Sequence, residues 1–158
     1  MPRRVEYFDD PNAPRANSLV VAVTAVVVND QGELLLQKRT DNDLWGLPGG
    51  AMNLGESIGQ AVVREVKEET NLDVEPTGVV GIYSDPGHII AYADGEVRQE
   101  FSICFTARLV GGQLAVGDQE STEVRFVRPS DLDGLPMGRS TRLRIQHFLE
   151  HRTTPYFA

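Results

Sequence analysis

Ten residues near the amino end, Leu19 to Val28 (LVVAVTAVVV), leave few folds open. A half-buried strand alternates apolar and polar side chains, but this run carries a single hydroxyl, Thr24, among nine apolar residues. Both of its faces need cover, as in a central strand with helices on either side of the sheet. A helix to supply that cover follows Ser57. Ser57 with Gln60 three residues later is a capping box, and Ile58, Ala61, Val62 and Val66 then form one apolar stripe. Further strands are predicted over Glu33–Arg39, after the Asn29–Gly32 turn, and over Val79–Tyr83, with Val74 as an earlier start. Ile89–Ala93 and Val97–Leu109 flank Asp94-Gly95, a hairpin signal, and Leu114–Val116 and Val124–Val127 are short extended pieces. Pro129–Leu132 predicts a helical turn, and a last helix runs from about Ser140 to His151. The order of elements is that of an α/β fold with a mixed central sheet between helices.

The 158 residues suit one domain, from 18 to 158, preceded by an arm over residues 1–17. Pro2, Pro11 and Pro14 break the arm, while Val5, Tyr7 and Phe8 suit packing on the body or on a second subunit of a homodimer. No apolar run is long enough for a membrane span and the start lacks a signal-peptide core, so a cytoplasmic protein is expected. A net charge of −8, from 15 basic and 23 acidic residues, argues against general nucleic-acid binding, which needs basic surface. A small anionic substrate remains open to it if a metal supplies positive charge locally. The single cysteine, Cys104, lies in an alternating apolar run and reads as a buried thiol.

The helix after Ser57 ends in Arg64, Glu65, Val66, Lys67, Glu68 and Glu69. Its three carboxylates, three and four residues apart, repel one another by a few tenths of a kcal/mol per pair. They also sit at the helix end that prefers cations. A divalent cation with oxygen preference, such as Mg²⁺, relieves both conflicts. On spacing alone a solvated, salt-bridged helix face accounts for the pattern equally well.

From Gly50 to Leu72 the chain resembles the Nudix box, G-x5-E-x7-R-E-U-x-E-E-x-G-U with U aliphatic. It matches at Gly50, Glu56, Arg64, Glu65, Val66, Glu68, Glu69 and Leu72, and departs at Asn71 in place of the second glycine. A helix C-terminus there needs a left-handed backbone, which Asn tolerates next best after Gly, so the chemistry is expected to survive the change.

The resemblance implies a Nudix-type α/β/α sandwich and an Mg²⁺-dependent diphosphohydrolase, with Mn²⁺ as substitute. Its substrate would be a small nucleoside diphosphate derivative, ADP-ribose-like first and an oxidised nucleoside triphosphate second. It implies that Glu65, Glu68 and Glu69, with the Gly50 carbonyl, hold the cation, that Arg64 orients a neighbouring carboxylate, and that Glu56 braces loop and helix. The base is Glu65 or an acid from another loop: Glu120 first, then Glu100 and Glu123. Arg39, and less so Lys38, end a strand just before the site and are candidates for a phosphate contact. His88, beside Asp85, borders the substrate or is simply exposed. The alternatives are a catalytically silent nucleotide sensor and an isoprenoid diphosphate isomerase, which would want a catalytic Cys the chain does not offer.

Overall fold

The computed structural model describes residues 4–158; Pro2 of the expected arm lies outside the described residues. In chain order the elements are β1 (Arg4–Phe8), β2 (Ser18–Leu19), β3 (Ala22–Val28), β4 (Leu34–Arg39), β5 (Trp45–Gly46), β6 (Gly49–Ala51) and helix α1 (Ile58–Thr70). Then come β7 (Leu72–Tyr83), β8 (His88–Tyr92), β9 (Val97–Gln99), β10 (Ser102–Gly112), β11 (Ser121–Val127), a 3₁₀ turn (Pro129–Gly134), α2 (Arg139–Leu149) and β12 (Tyr156–Phe157).

The main sheet has the order β11-β4-β3-β10-β7-β12, with β5 on β4 and β6 on β3. It is mixed: β10 runs parallel to β3 and antiparallel to β7. The apolar run on β3 is buried on both faces, as its composition requires. Val23, Ala25 and Val27 pack with Leu35, Ile103 and Phe105 beneath Ala61, Val62 and Val66 of α1. On the opposite face Val26, Leu34, Leu36 and Cys104 meet Leu132 of the 3₁₀ turn and Ile145 of α2. Each fully buried Val or Leu contributes about 1.5–3 kcal/mol, so the two layers hold the sheet between them. No helix among the described residues is long and apolar enough to cross a membrane.

The local readings differ from the structure where pairing partners are distant in sequence. The Leu19–Val28 run is cut after Leu19, and the expected Val97–Leu109 strand breaks at Glu100-Phe101. There the chain leaves a second sheet, ordered β1-β8-β9-β2, and enters the main one as β10. Residues 4–8 of the expected arm form an edge of that second sheet, with Phe8 opposite His88. Leu114–Val116 is not a strand; Ala115 instead donates to the Thr70 carbonyl at the end of α1.

Candidate active site

Helix α1 starts as its sequence dictates: the Ser57 hydroxyl accepts from the Gln60 amide, and the Gln60 side chain accepts from the Ser57 amide. It ends at Asn71, whose φ of 62° and ψ of 16° are left-handed. Between these caps the helix presents Arg64, Glu65, Glu68 and Glu69 to the Gly49–Ala51 strand and to the loop before β11.

Arg64 is the hub of this surface. It pairs with both oxygens of Glu56 and donates to Glu65 at 2.9 Å, Glu68 at 3.1 Å and the Ala51 carbonyl at 3.0 Å. Bidentate charge-assisted bonds of this kind fix geometry as well as add stability. Glu56 in turn accepts from the Asn53 amide, and Arg64 holds its carboxyl below the usual range. Glu56 therefore spans the loop and the helix without reaching the cleft. Gly50 lies against Glu65: a Cβ at Gly50 would stand 2.6 Å from the Glu65 Oε1.

Glu69 is 1% exposed, and its Oε2 accepts from the Gly49 amide at 2.9 Å. Burial, opposed by that hydrogen bond and reinforced by Glu65, Asp118 and Glu120, pushes its carboxyl up to about 9. Burial also raises Glu65, against the pull of Arg64. An oxygen from each of Glu69, Asp118 and Glu120 lies within 4.8 Å of the other two. Glu120 thus comes to the box helix across about a third of the chain. Asp118 is not among the sequence candidates; its signal in the sequence is an acid two residues before Glu120 in the same Gly-led loop.

The loop reaches this position by satisfying helix carbonyls that would otherwise be left over. The Gly117 amide donates to the Glu69 carbonyl and the Ala115 amide to Thr70, while Asn71 Nδ2 donates to the Gln113 carbonyl at 2.9 Å. A Cβ at Gly117 would overlap the Glu68 carbonyl oxygen. On its other side the loop is held by Thr40, whose amide donates to the Glu120 carbonyl and whose hydroxyl donates to that of Gln119.

These acids stand at one end of a cleft of about 1020 Å³, which runs on to the second sheet. Glu65, Glu68, Glu69 and Gly50 all line it, although Glu68 is half-exposed and held by Arg64. Arg39 lines the same cleft, and its Nε and Nη2 are held by Asp41 at 2.9 and 2.8 Å. Glu100 also lines the cleft but is paired with Arg144 at 3.0 Å, and Glu123 pairs with Arg125 away from it. His88 is buried rather than exposed, stacked on Phe8 with its Nε2 3.5 Å from Glu6. Cys104 is a buried free thiol, and burial raises its pKa.

A family model described as the NUDIX domain matches residues 18–147. The ADP-ribose pyrophosphatase of Methanocaldococcus jannaschii is 38% identical over 124 residues, 73% of this chain and 64% of that protein. The chain thus spans a little under two thirds of that relative. A MutT-like protein of Streptomyces ambofaciens is 34% identical over 127 residues, covering 80% of this chain and 75% of its own. Among solved structures, the NUDIX domain of Shewanella oneidensis NrtR complexed with ADP ribose is 26% identical. It superposes with a TM-score of 0.64 over 89% of this chain and 92% of that one.

Proposed function

The chain belongs to the NUDIX domain family, and from that membership we propose that it hydrolyses the diphosphate linkage of a nucleoside diphosphate derivative with the help of Mg²⁺. The observation that carries the proposal is the triad of acid oxygens within 4.8 Å, one of them from a fully buried carboxylate. A buried carboxylate facing two others is costly unless a cation joins them. An all-oxygen donor set is what Mg²⁺, or Mn²⁺ in its place, selects. Glu69 and Asp118 would hold the cation, with Glu65, Glu68 and the Gly50 carbonyl as further donors at the same end of the cleft and Glu120 beside them. Bound there, the cation would polarise phosphoryl oxygens and neutralise charge on the leaving group.

The chain's own groups divide the remaining work. Arg64 keeps the Glu65 carboxylate turned toward the cleft, and Glu56 keeps Arg64 in place. Glu120, on a loop and exposed, is the candidate to take the proton of the attacking water, with Glu65 as the other. Arg39 retains a free Nη1 edge beside Glu120 for a phosphate oxygen, since Asp41 occupies only Nε and Nη2. ADP-ribose is the first substrate to try, in keeping with the name of the Methanocaldococcus relative and the ligand of the Shewanella domain; an oxidised nucleoside triphosphate is the second. The test is a screen of nucleotide diphosphate compounds with Mg²⁺, read by phosphate release after phosphatase coupling. Release that stops on chelation is the expected result. Release that persists in chelator would remove the cation from the proposal.

A further inference from the structure

Beyond the acid end, the cleft is bounded by the second sheet and the start of α2, and its charges there follow one rule. Among the described residues the cationic side chains lining it are Arg4, Arg39, Arg98 and Arg144, together with His88, against ten carboxylates. Each arginine is already engaged. Arg98 gives Nε and Nη2 to Glu96 at 2.7 and 3.0 Å and Nη1 to the Tyr92 hydroxyl, and its guanidinium lies 4.5 Å from the Tyr92 ring. Arg144 pairs with Glu100 at 3.0 Å and with the Ser140 carbonyl, over the Tyr83 ring. Arg4 is 3.1 Å from Glu6, which also faces His88. Arg39, at the acid end beside Glu120, keeps its Nη1 edge. On the far wall Arg4 is held at one nitrogen and the Arg144 Nε is enclosed without a partner, but the charge of each is offset by a paired glutamate.

Resting on the diphosphatase reading above, we infer that Glu6, Glu96 and Glu100 are specificity determinants. By neutralising the charge of the arginines of the far wall they make the cleft accept an uncharged, hydroxyl-bearing group beyond the diphosphate and reject a third phosphate. A terminal phosphate adds about 1.5 to 2 negative charges. It would meet a wall whose guanidiniums are neutralised and whose net charge is negative. Juxtaposed like charge is a common means of turning away a wrong ligand. A sugar meets no such opposition. Gln37 and Ser102 also line the cleft, and their Oε1 and Oγ are enclosed without a protein partner. Such atoms exchange hydrogen bonds with hydroxyls directly or through one water.

The experiment compares ADP-ribose with ATP, which share a nucleoside and differ in what lies past the diphosphate. For the wild type with Mg²⁺, kcat/KM for ADP-ribose is expected to exceed that for ATP by at least about tenfold. Glu96→Gln and Glu6→Gln each free a guanidinium at a partly exposed position, so both variants should fold. Each is expected to narrow the ratio about fivefold or more, chiefly by lowering the KM for ATP. Glu75→Gln, which breaks the exposed Glu75–Arg108 pair outside the cleft, should leave the ratio alone. Unmoved ratios in both cleft variants, or a wild type that prefers ATP, would overturn the inference. Calorimetric titration of both ligands with Ca²⁺ in place of Mg²⁺ reads the same preference without turnover. Binding with that preference but no hydrolysis would refute the diphosphatase reading and support the selectivity. Hydrolysis of ADP-ribose with an unmoved ratio would refute the selectivity alone.

Discussion

Glu65 keeps its position because Gly50 has no side chain to displace it and Arg64 holds one of its oxygens. Gly50→Ala would push that carboxylate aside while leaving the core untouched. Turnover is expected to fall by about 10²-fold, the scale of a 1 Å misplacement at a reacting centre, with little change in melting temperature. Steady-state kinetics and a thermal scan of the same sample check both halves. Glu69 gives a second residue-scale expectation through its pKa of about 9, against an ordinary 4.5. The folded protein holds this proton more tightly than the unfolded chain does. Its contribution to stability is therefore fully present below pH 4.5 and is lost as pH rises through 9. In chelator the melting temperature should carry a falling component across that window, and Glu69→Gln should remove it. A wild-type profile in chelator that Glu69→Gln leaves unchanged would mean that Glu69 is not buried as an acid.

Helix α1 and the loop from Gln113 to Glu120 form one unit, because the loop amides cap the helix carbonyls and so carry Asp118 and Glu120 to Glu69. Asn71 belongs to that unit. From sequence, replacing it by glycine should be nearly silent, since both residues accept the left-handed conformation. Its side chain, however, donates to the Gln113 carbonyl. Asn71→Gly should therefore lose about 1 kcal/mol, roughly 2–4 °C in a chain of this size, and loosen the acids as well. A fall in kcat larger than the fall in stability would report the tether; unchanged kcat would return Asn71 to a purely conformational role. The helix itself was legible residue by residue, from the Ser57–Gln60 cap to the Asn71 turn, because everything that forms it lies within one or two turns. The loop's closure was not, as it depends on backbone amides, which sequence does not encode individually. Likewise no turn residue separates Val97–Gln99 from the alternation that runs from Glu100 to Leu109, although pairing changes sheets at Glu100-Phe101. Strands β1 and β12 are defined by partners about 75 to 90 residues away, beyond the reach of any local pattern.

At the scale of the whole molecule, the acids of α1 and those of the loop before β11 are joined across separate parts of the fold, so a cation bridging them would stabilise the folded state alone. Added Mg²⁺ should raise the melting temperature according to RT ln(1 + [L]/Kd), about 2.7 kcal/mol at a hundredfold excess over Kd, or roughly 5 to 10 °C here. Glu69→Gln should flatten that response, since it removes the buried donor shared by both sides, and should cost turnover at least about 10²-fold. Glu65→Gln should weaken it less, because Glu65 lies outside the tightest cluster and is balanced by Arg64. Glu120→Gln is the decisive variant. If Glu120 takes the proton, most of the Mg²⁺-induced shift should remain, with Glu69 and Asp118 still facing each other, while turnover is largely lost. Loss of shift and turnover together would make Glu120 a cation donor and move the base to Glu65. An unchanged wild-type melting temperature at saturating Mg²⁺ would mean that the loop and helix acids are held together by Gly117, Ala115 and Thr40 alone.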